Sequence, residues 1–139
     1  MSRDLIFIPV LVQVMLTIVL YLALSAVKKR EAEQGNVNEA RRGLYDDAWP
    51  ESVRKINNCI RNQFEVPVLF YVLAFMLWAL NAVDMVALAV AGLFAASRMV
   101  HAYIHTGVND VPTRRKVFTV GCVLVIAMLV LAIKALILG

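Results

Sequence analysis

Four long apolar runs dominate the 139-residue chain. They cover residues 5–27, 66–80, 85–96 and 117–133, and the last continues as an apolar tail to Leu138. A helix needs about 20 residues to cross the hydrocarbon core of a bilayer, and each run approaches that length with its flanks. Because 61% of the residues are hydrophobic and the mean hydropathy is +0.74, we expect an all-α integral membrane protein rather than a soluble domain.

The runs and their flanks predict a single transmembrane domain, residues 1–139, folded as a four-helix bundle. The predicted helices cover about residues 4–28, 50–82, 85–106 and 113–138, with one sizeable loop at about 29–49. Pro50 is typical of a first helical position. Pro67 is expected to kink the second helix, because proline has no backbone N–H to continue the hydrogen-bond ladder. Pro112 and Thr113 are expected to start and cap the fourth helix.

Basic residues predict the orientation in the membrane. Eight of the 14 Lys and Arg residues lie between the first two apolar runs, and Arg114, Arg115 and Lys116 lie between the last two. By the positive-inside rule both basic loops are cytoplasmic and both termini lie on the opposite side. Asp and Glu are interleaved with these cations, which favours the lipid bilayer as the partner and argues against nucleic acid.

Two polar stripes lie near the cytoplasmic ends of the second and third predicted helices. At about 100° per residue, one side of the second helix carries Asn58, Arg61, Asn62 and Glu65, and one side of the third carries Arg98, His101 and His105. Glu65 and His101 lie 16 and 17 residues from the hairpin turn at 81–84. At about 1.5 Å per residue both are therefore about 25 Å from that turn, so the stripes should be level.

Ionisable groups converging at a membrane boundary indicate a functional site by default. One alternative is a structural ion pair, such as Glu65 with Arg98, that only fixes the helix registry. A second is a metal site, because two histidines and a carboxylate can bind zinc or iron. Arg98 in the same stripe would repel a cation, so we expect anion binding and no metal.

Arg114 lies near the predicted start of the fourth helix. Its guanidinium and the free N–H groups of the first turn can together stabilise an anion. A thiol held there would shift toward the thiolate, because a nearby arginine and a helix N-terminus both lower its pKa. Phospholipid contact is the commoner reason for basic residues at such a helix end.

Two stretches resemble a known family. "RNQFEVPVLF" contains Asn62, Glu65, Pro67 and Phe70, and "RMVHAYIHTGVNDVPTRRKVF" contains Arg98, His101, His105 and Arg114. Their residue types and spacing resemble the two motifs of the membrane-associated proteins in eicosanoid and glutathione metabolism, the MAPEG family. Three positions depart from the family pattern: Asn58 replaces an arginine, His105 a tyrosine, and Arg115 a serine found in some members.

The resemblance implies a homotrimer that binds glutathione, as co-substrate, between neighbouring subunits. Glu65 would hold its ammonium group, and Arg114 would be the catalytic residue that stabilises the thiolate. Arg30 or Lys29 would reach the glutathione of the adjacent subunit. The remaining contacts would hold its carboxylates and backbone: Arg61, Asn62, Arg98, His101 and His105.

The function implied is a membrane-bound glutathione transferase or peroxidase. The thiolate would attack a small lipophilic electrophile or a lipid hydroperoxide that arrives through the bilayer. Two alternatives from other classes remain. One is a noncatalytic member that binds lipid or another membrane protein, which Asn58 and His105 leave open. The other is a small transporter that uses Glu65 as its proton or cation site.

Overall fold

The computed structural model describes all 139 residues, and every regular element in it is helical. The helices are α1 (Phe7–Glu33), α2 (Glu51–Gln63), α3 (Val66–Ala79), α4 (Met85–Thr106) and α5 (Val111–Leu138), with short 3-10 turns at Arg3–Ile6 and Asp46–Ala48. Four segments are long and apolar enough to cross a bilayer: Arg3–Glu33, Glu51–Ala79, Met85–Thr106 and Val111–Leu138. The protein is therefore an all-α, multi-pass membrane protein, as the apolar runs predicted.

The second membrane segment is two helices rather than the single kinked helix expected over 50–82. α2 ends at Gln63 and α3 begins at Val66, with Phe64 and Glu65 between them. Pro67 lies in the first turn of α3 and has no N–H to donate to the Gln63 carbonyl, so the α-helical ladder cannot continue through this point. The break separates a polar helix from an apolar one.

α1 continues beyond the predicted end at residue 28, as far as Glu33. Its last turns carry Glu31, whose buried carboxylate accepts hydrogen bonds from Asn36 Nδ2 at 2.8 Å and from Ser52 Oγ at 2.8 Å. Asn36 belongs to the linker, residues 34–50, and Ser52 to the first turn of α2. One carboxylate therefore ties α1, the linker and α2 together.

The largest core cluster lies where α3, α4 and α5 meet. Phe70 of α3 stacks on Phe94 of α4 with ring centroids 4.4 Å apart, and Met128 of α5 is buried in the same cluster. Gly121 of α5 lies against α4, where a Cβ at this position would be in ordinary van der Waals contact with Ser97 Oγ at 3.5 Å. Small residues at such contacts let membrane helices pack closely.

A buried polar pair joins α1 to the end of α2. Gln13 Nε2 donates to Gln63 Oε1 at 2.7 Å, and Gln63 Nε2 donates to the Cys59 carbonyl at 3.0 Å. Within a membrane such groups need partners inside the protein. The pair holds the last turn of α2 against α1.

The cap of α5 differs from the expected Thr113. The side chain of Asp110 accepts a hydrogen bond from the Thr113 backbone N–H at 3.1 Å, and the helix begins at Val111. Thr113 is therefore the donor, and Asp110 the capping residue. Hydrogen bonds from the Thr113 side chain and backbone hold the pKa of Asp110 below its usual range.

Candidate functional site

The two polar stripes meet where α2 ends. Asn62 Nδ2 lies 3.3 Å from His105 Nδ1 in the last turns of α4. The rings of His101 and His105 lie one turn apart with centroids separated by 5.6 Å, and both side chains are buried. The end of α2 and the end of α4 are thus at the same level, as the residue spacing predicted.

α5 closes the third side of a cavity of about 240 Å³. Its wall consists of Asn62 from α2, His101 from α4, and Val111, Arg114, Arg115 and Phe118 from α5. We call this space the Arg114 cavity. Four of its six lining residues are polar, including two arginines, and none carries a carboxylate, which suits an anionic ligand.

Arg114 is held by the loop that joins α4 to α5. Its Nη1 donates to Asn109 Oδ1 at 2.5 Å, and its backbone N–H donates to the Asp110 carbonyl at 2.9 Å. Asn109 has a positive φ of 55°, and its N–H donates to the Ile104 carbonyl at 2.8 Å, which ends α4. The guanidinium therefore lies beside the first turn of α5, where the positive end of the helix favours negative charge.

Arg98 is the most unusual group of the site. Its side chain is buried, with 1% exposure, and neither Nε nor Nη2 has a hydrogen-bond partner. The guanidinium lies 5.9 Å from the ring centroid of Phe118, which lines the Arg114 cavity. His101 Nδ1, also buried, lacks a partner too. An unpaired buried cation costs several kcal/mol, so this part of the chain is chemically incomplete without an acceptor.

Of the eight predicted site residues, Asn62, His101 and Arg114 line the cavity, and Arg98 and His105 lie beside it, while the other three lie apart. Glu65 is exposed at the break between α2 and α3. Arg61 is exposed and forms an ion pair with Asp46 of the linker. Arg30, at the end of α1, pairs with the adjacent Glu31 at 3.0 Å. The structure therefore brings together five of the eight predicted residues, namely Asn62, Arg98, His101, His105 and Arg114.

The alternatives of a registry ion pair and a metal site do not match the geometry. None of the five ion pairs of the structure includes Glu65 or Arg98. No group of three or more His, Cys, Asp or Glu side chains could hold a metal ion. His101 and His105 have no carboxylate beside them.

Two residues of the site were absent from the predicted set. Phe118 lies one helical turn after Arg114, on the same face of α5, and a helical repeat would have placed it beside the site. Asn109 directly precedes the capping Asp110, and asparagine is common at left-handed positions after a helix end. Both signals were present in the sequence.

The family model of the MAPEG family matches residues 6–134. The match spans all four membrane segments and both motifs, and it confirms the resemblance drawn from those motifs. Neither the comparison with curated proteins nor the comparison with solved structures found a match. The chain belongs to the MAPEG family, the membrane-associated proteins in eicosanoid and glutathione metabolism.

Proposed function

We propose that the protein is a membrane-bound glutathione transferase or peroxidase. The observation that carries the proposal is two buried groups without hydrogen-bond partners: the Arg98 guanidinium, next to Phe118 of the cavity wall, and Nδ1 of His101, which lines the cavity. Membership of the MAPEG family supports a role in glutathione or eicosanoid metabolism in general. A ligand with carboxylates and a thiol supplies the acceptors that these groups lack.

Glutathione matches the residues around the cavity. It carries two carboxylates, an ammonium group and a thiol. Arg98, His101, His105 and Asn62 would hold a carboxylate and the peptide backbone from inside the chain. The exposed Arg61 and Glu65 would complete the site at a subunit boundary, together with Arg30 or Lys29 of a neighbour. This arrangement requires the homotrimer that the family resemblance implies.

Arg114 would be the catalytic residue. Its guanidinium and the N–H groups of the first turn of α5 would stabilise the thiolate, while the thiol proton leaves to water. The sulfur would then attack an electrophilic carbon, form the carbon–sulfur bond and expel the leaving group. With a lipid hydroperoxide it would attack the distal oxygen and break the O–O bond, so that the lipid alkoxide leaves, takes a proton from water and becomes the alcohol. The glutathione sulfenic acid formed in this step would react with a second glutathione to give the disulfide and water. The electrophile and the lipid hydroperoxide are apolar, so either would reach the site through the bilayer. The site would open on the cytoplasmic side, as expected from the positive-inside rule.

Glutathione conjugation by the purified oligomer tests the proposal. We expect Arg114→Ala to lower the rate by about a hundredfold, within the range for loss of an electrostatic stabiliser. Lys116→Ala is a matched control, because Lys116 is an exposed cation two residues away and outside the cavity wall. A folded oligomer that conjugates no electrophile and binds no glutathione would refute the proposal.

A noncatalytic lipid-binding role is the second candidate, favoured by one observation. An apolar groove of about 540 Å³ lies between α1 and α3, and all its lining residues are hydrophobic: Phe7, Val10, Val14, Tyr71, Val72, Phe75 and Met76. An acyl chain would fit such a groove. Tight lipid retention by a protein that binds no glutathione would favour this role over catalysis.

A further inference from the structure

A second polar cleft, separate from the Arg114 cavity, lies between the linker and α2. It has a volume of about 460 Å³, within the range of small-ligand sites. Its charged and aromatic wall comes from the end of α1, the linker and α2: Lys28, Arg42, Asp46, Trp49, Arg54 and Arg61. We call it the linker cleft. It shares only Arg61 with the predicted thiol site.

Cations outnumber carboxylates in the linker cleft. Four cations and one carboxylate line it. Arg61 pairs with that carboxylate, Asp46, and Arg42 pairs with Glu39 at 3.0 Å. Lys28 and Arg54 take part in none of the five ion pairs. Two positive charges therefore face the cleft without compensation.

The residues of the cleft are of the kinds expected at the boundary between lipid and water. Lys28 directly follows the first apolar run, and its Nζ lies 4.9 Å from the ring centroid of Trp49. Trp49 Nε1 donates to the Arg42 carbonyl at 3.3 Å, which fixes the ring in the cleft wall. Tryptophan and lysine are enriched at this depth, where phospholipid headgroups lie.

From this arrangement we propose that the linker cleft binds a phosphate group, carried by an anionic lipid headgroup or by a soluble phosphate ester. Guanidinium groups bind phosphate through paired N–H donors, and an ammonium group adds a point charge. The side-chain amides of Asn57 and Asn58 line the same space and offer further donors. A phosphate has more acceptor oxygens than a carboxylate, so it satisfies more of these converging donors.

Trp49 provides the readout. The chain has two tryptophans, and Trp78 lies near Asp4 at the opposite end of the bundle. In a Trp78→Phe background, Trp49 emission is followed in nonionic detergent during titration with short-chain phosphatidylglycerol, short-chain phosphatidylcholine or inorganic phosphate. We expect a saturable change. A change with phosphatidylglycerol alone identifies a lipid headgroup, and an equal change with inorganic phosphate identifies a soluble source.

Two double variants that each remove two positive charges distinguish a specific phosphate site from general attraction of anions to a basic surface. Lys28→Gln with Arg54→Gln removes the two uncompensated cations, and we expect about tenfold weaker binding, about threefold for each charge, since pairs of solvent-accessible charges contribute little individually. Lys116→Gln with Lys134→Gln removes two exposed cations outside the cleft and should leave binding unchanged. Arg54→Gln alone changes an exposed side chain and should weaken binding about threefold or more. No saturable change with any probe, or equal weakening in both double variants, would overturn the proposal.

Discussion

Nδ2 of Asn62, at the end of α2, lies 3.3 Å from Nδ1 of His105 in α4. This contact joins the two sequence motifs of the chain. The contact depends on the break at Phe64 and Glu65, because α2 ends there against the bundle. It also depends on the Gln13–Gln63 pair, which holds the adjacent residue of α2 against α1. The site is therefore supported by polar contacts of three helices.

Asn62→Ala tests whether this contact orders the site. Removing the amide frees His105 and takes away one wall of the Arg114 cavity. We expect glutathione binding to weaken about tenfold, corresponding to the loss of about 1.4 kcal/mol. Asn57→Ala is the matched control, since Asn57 lies on the same helix but outside the Arg114 cavity and the predicted site. Isothermal titration of both variants checks the prediction, and equal weakening would count against it.

The membrane-spanning segments and the family could be predicted from the sequence, because both depend on local patterns. Apolar runs indicated the spans, and the two motifs indicated the family, whose model matches residues 6–134. Helical spacing also brought Arg98, His101 and His105 onto one face, where the structure buries all three. These features follow from periodicity within single helices.

Features that depend on contacts far apart in sequence were not predictable. α1 extends to Glu33 because Glu31 has a partner in Ser52, 21 residues later. Arg61 faces the linker because Asp46 is there, and the fold of the linker has no repeating pattern. The exposure of Glu65 follows from the break before Pro67, where a kink alone was expected.

Arg98→Met tests whether the buried guanidinium is an unpaired charge. An apolar side chain of similar length removes the cost of burying the cation, so we expect the ligand-free variant to be at least as stable as the wild type. Glutathione should raise the melting temperature of the wild type but not of the variant, because ligand stabilisation requires binding. Thermal unfolding with and without glutathione measures both effects. A large loss of stability in the ligand-free variant would mean that Arg98 has a structural partner.

The buried hydrogen bond from Gln13 Nε2 to Gln63 Oε1 should contribute to stability, although Gln13 Oε1 has no partner. Gln13→Leu leaves Gln63 Oε1 without its donor, and Gln63→Leu leaves Gln13 Nε2 without its acceptor. We expect each single variant to lower the free energy of unfolding by about 1 kcal/mol, in the range for membrane hydrogen bonds. The double variant should lose less than the sum of the two, since neither amide is then left alone. Additive losses in a denaturant titration would show that the residues act independently.

Asp110 should make stability depend on pH at the start of α5. Its folded pKa is held below the usual range by hydrogen bonds from Thr113. The contribution of ionised Asp110 to the free energy of unfolding is therefore fully present above the pKa of an unfolded aspartate. It is lost as the pH falls through the pKa of Asp110 in the folded protein. Asp110→Asn keeps an acceptor oxygen without a titrating group, so its melting temperature should fall less on acidification between about pH 5 and pH 2. Identical pH profiles for the two proteins would contradict the assignment of Asp110 as a charged cap.

The central claim is that Arg114 and the first turn of α5 stabilise a thiolate. The direct measurement is the ultraviolet absorbance of the glutathione thiolate on addition of glutathione to the purified oligomer, compared among wild type, Arg114→Ala and Lys116→Ala. We expect a thiolate signal near neutral pH in the wild type and in Lys116→Ala, and none in Arg114→Ala. A thiolate signal of full size in Arg114→Ala, or glutathione bound only as the neutral thiol in the wild type, would contradict it.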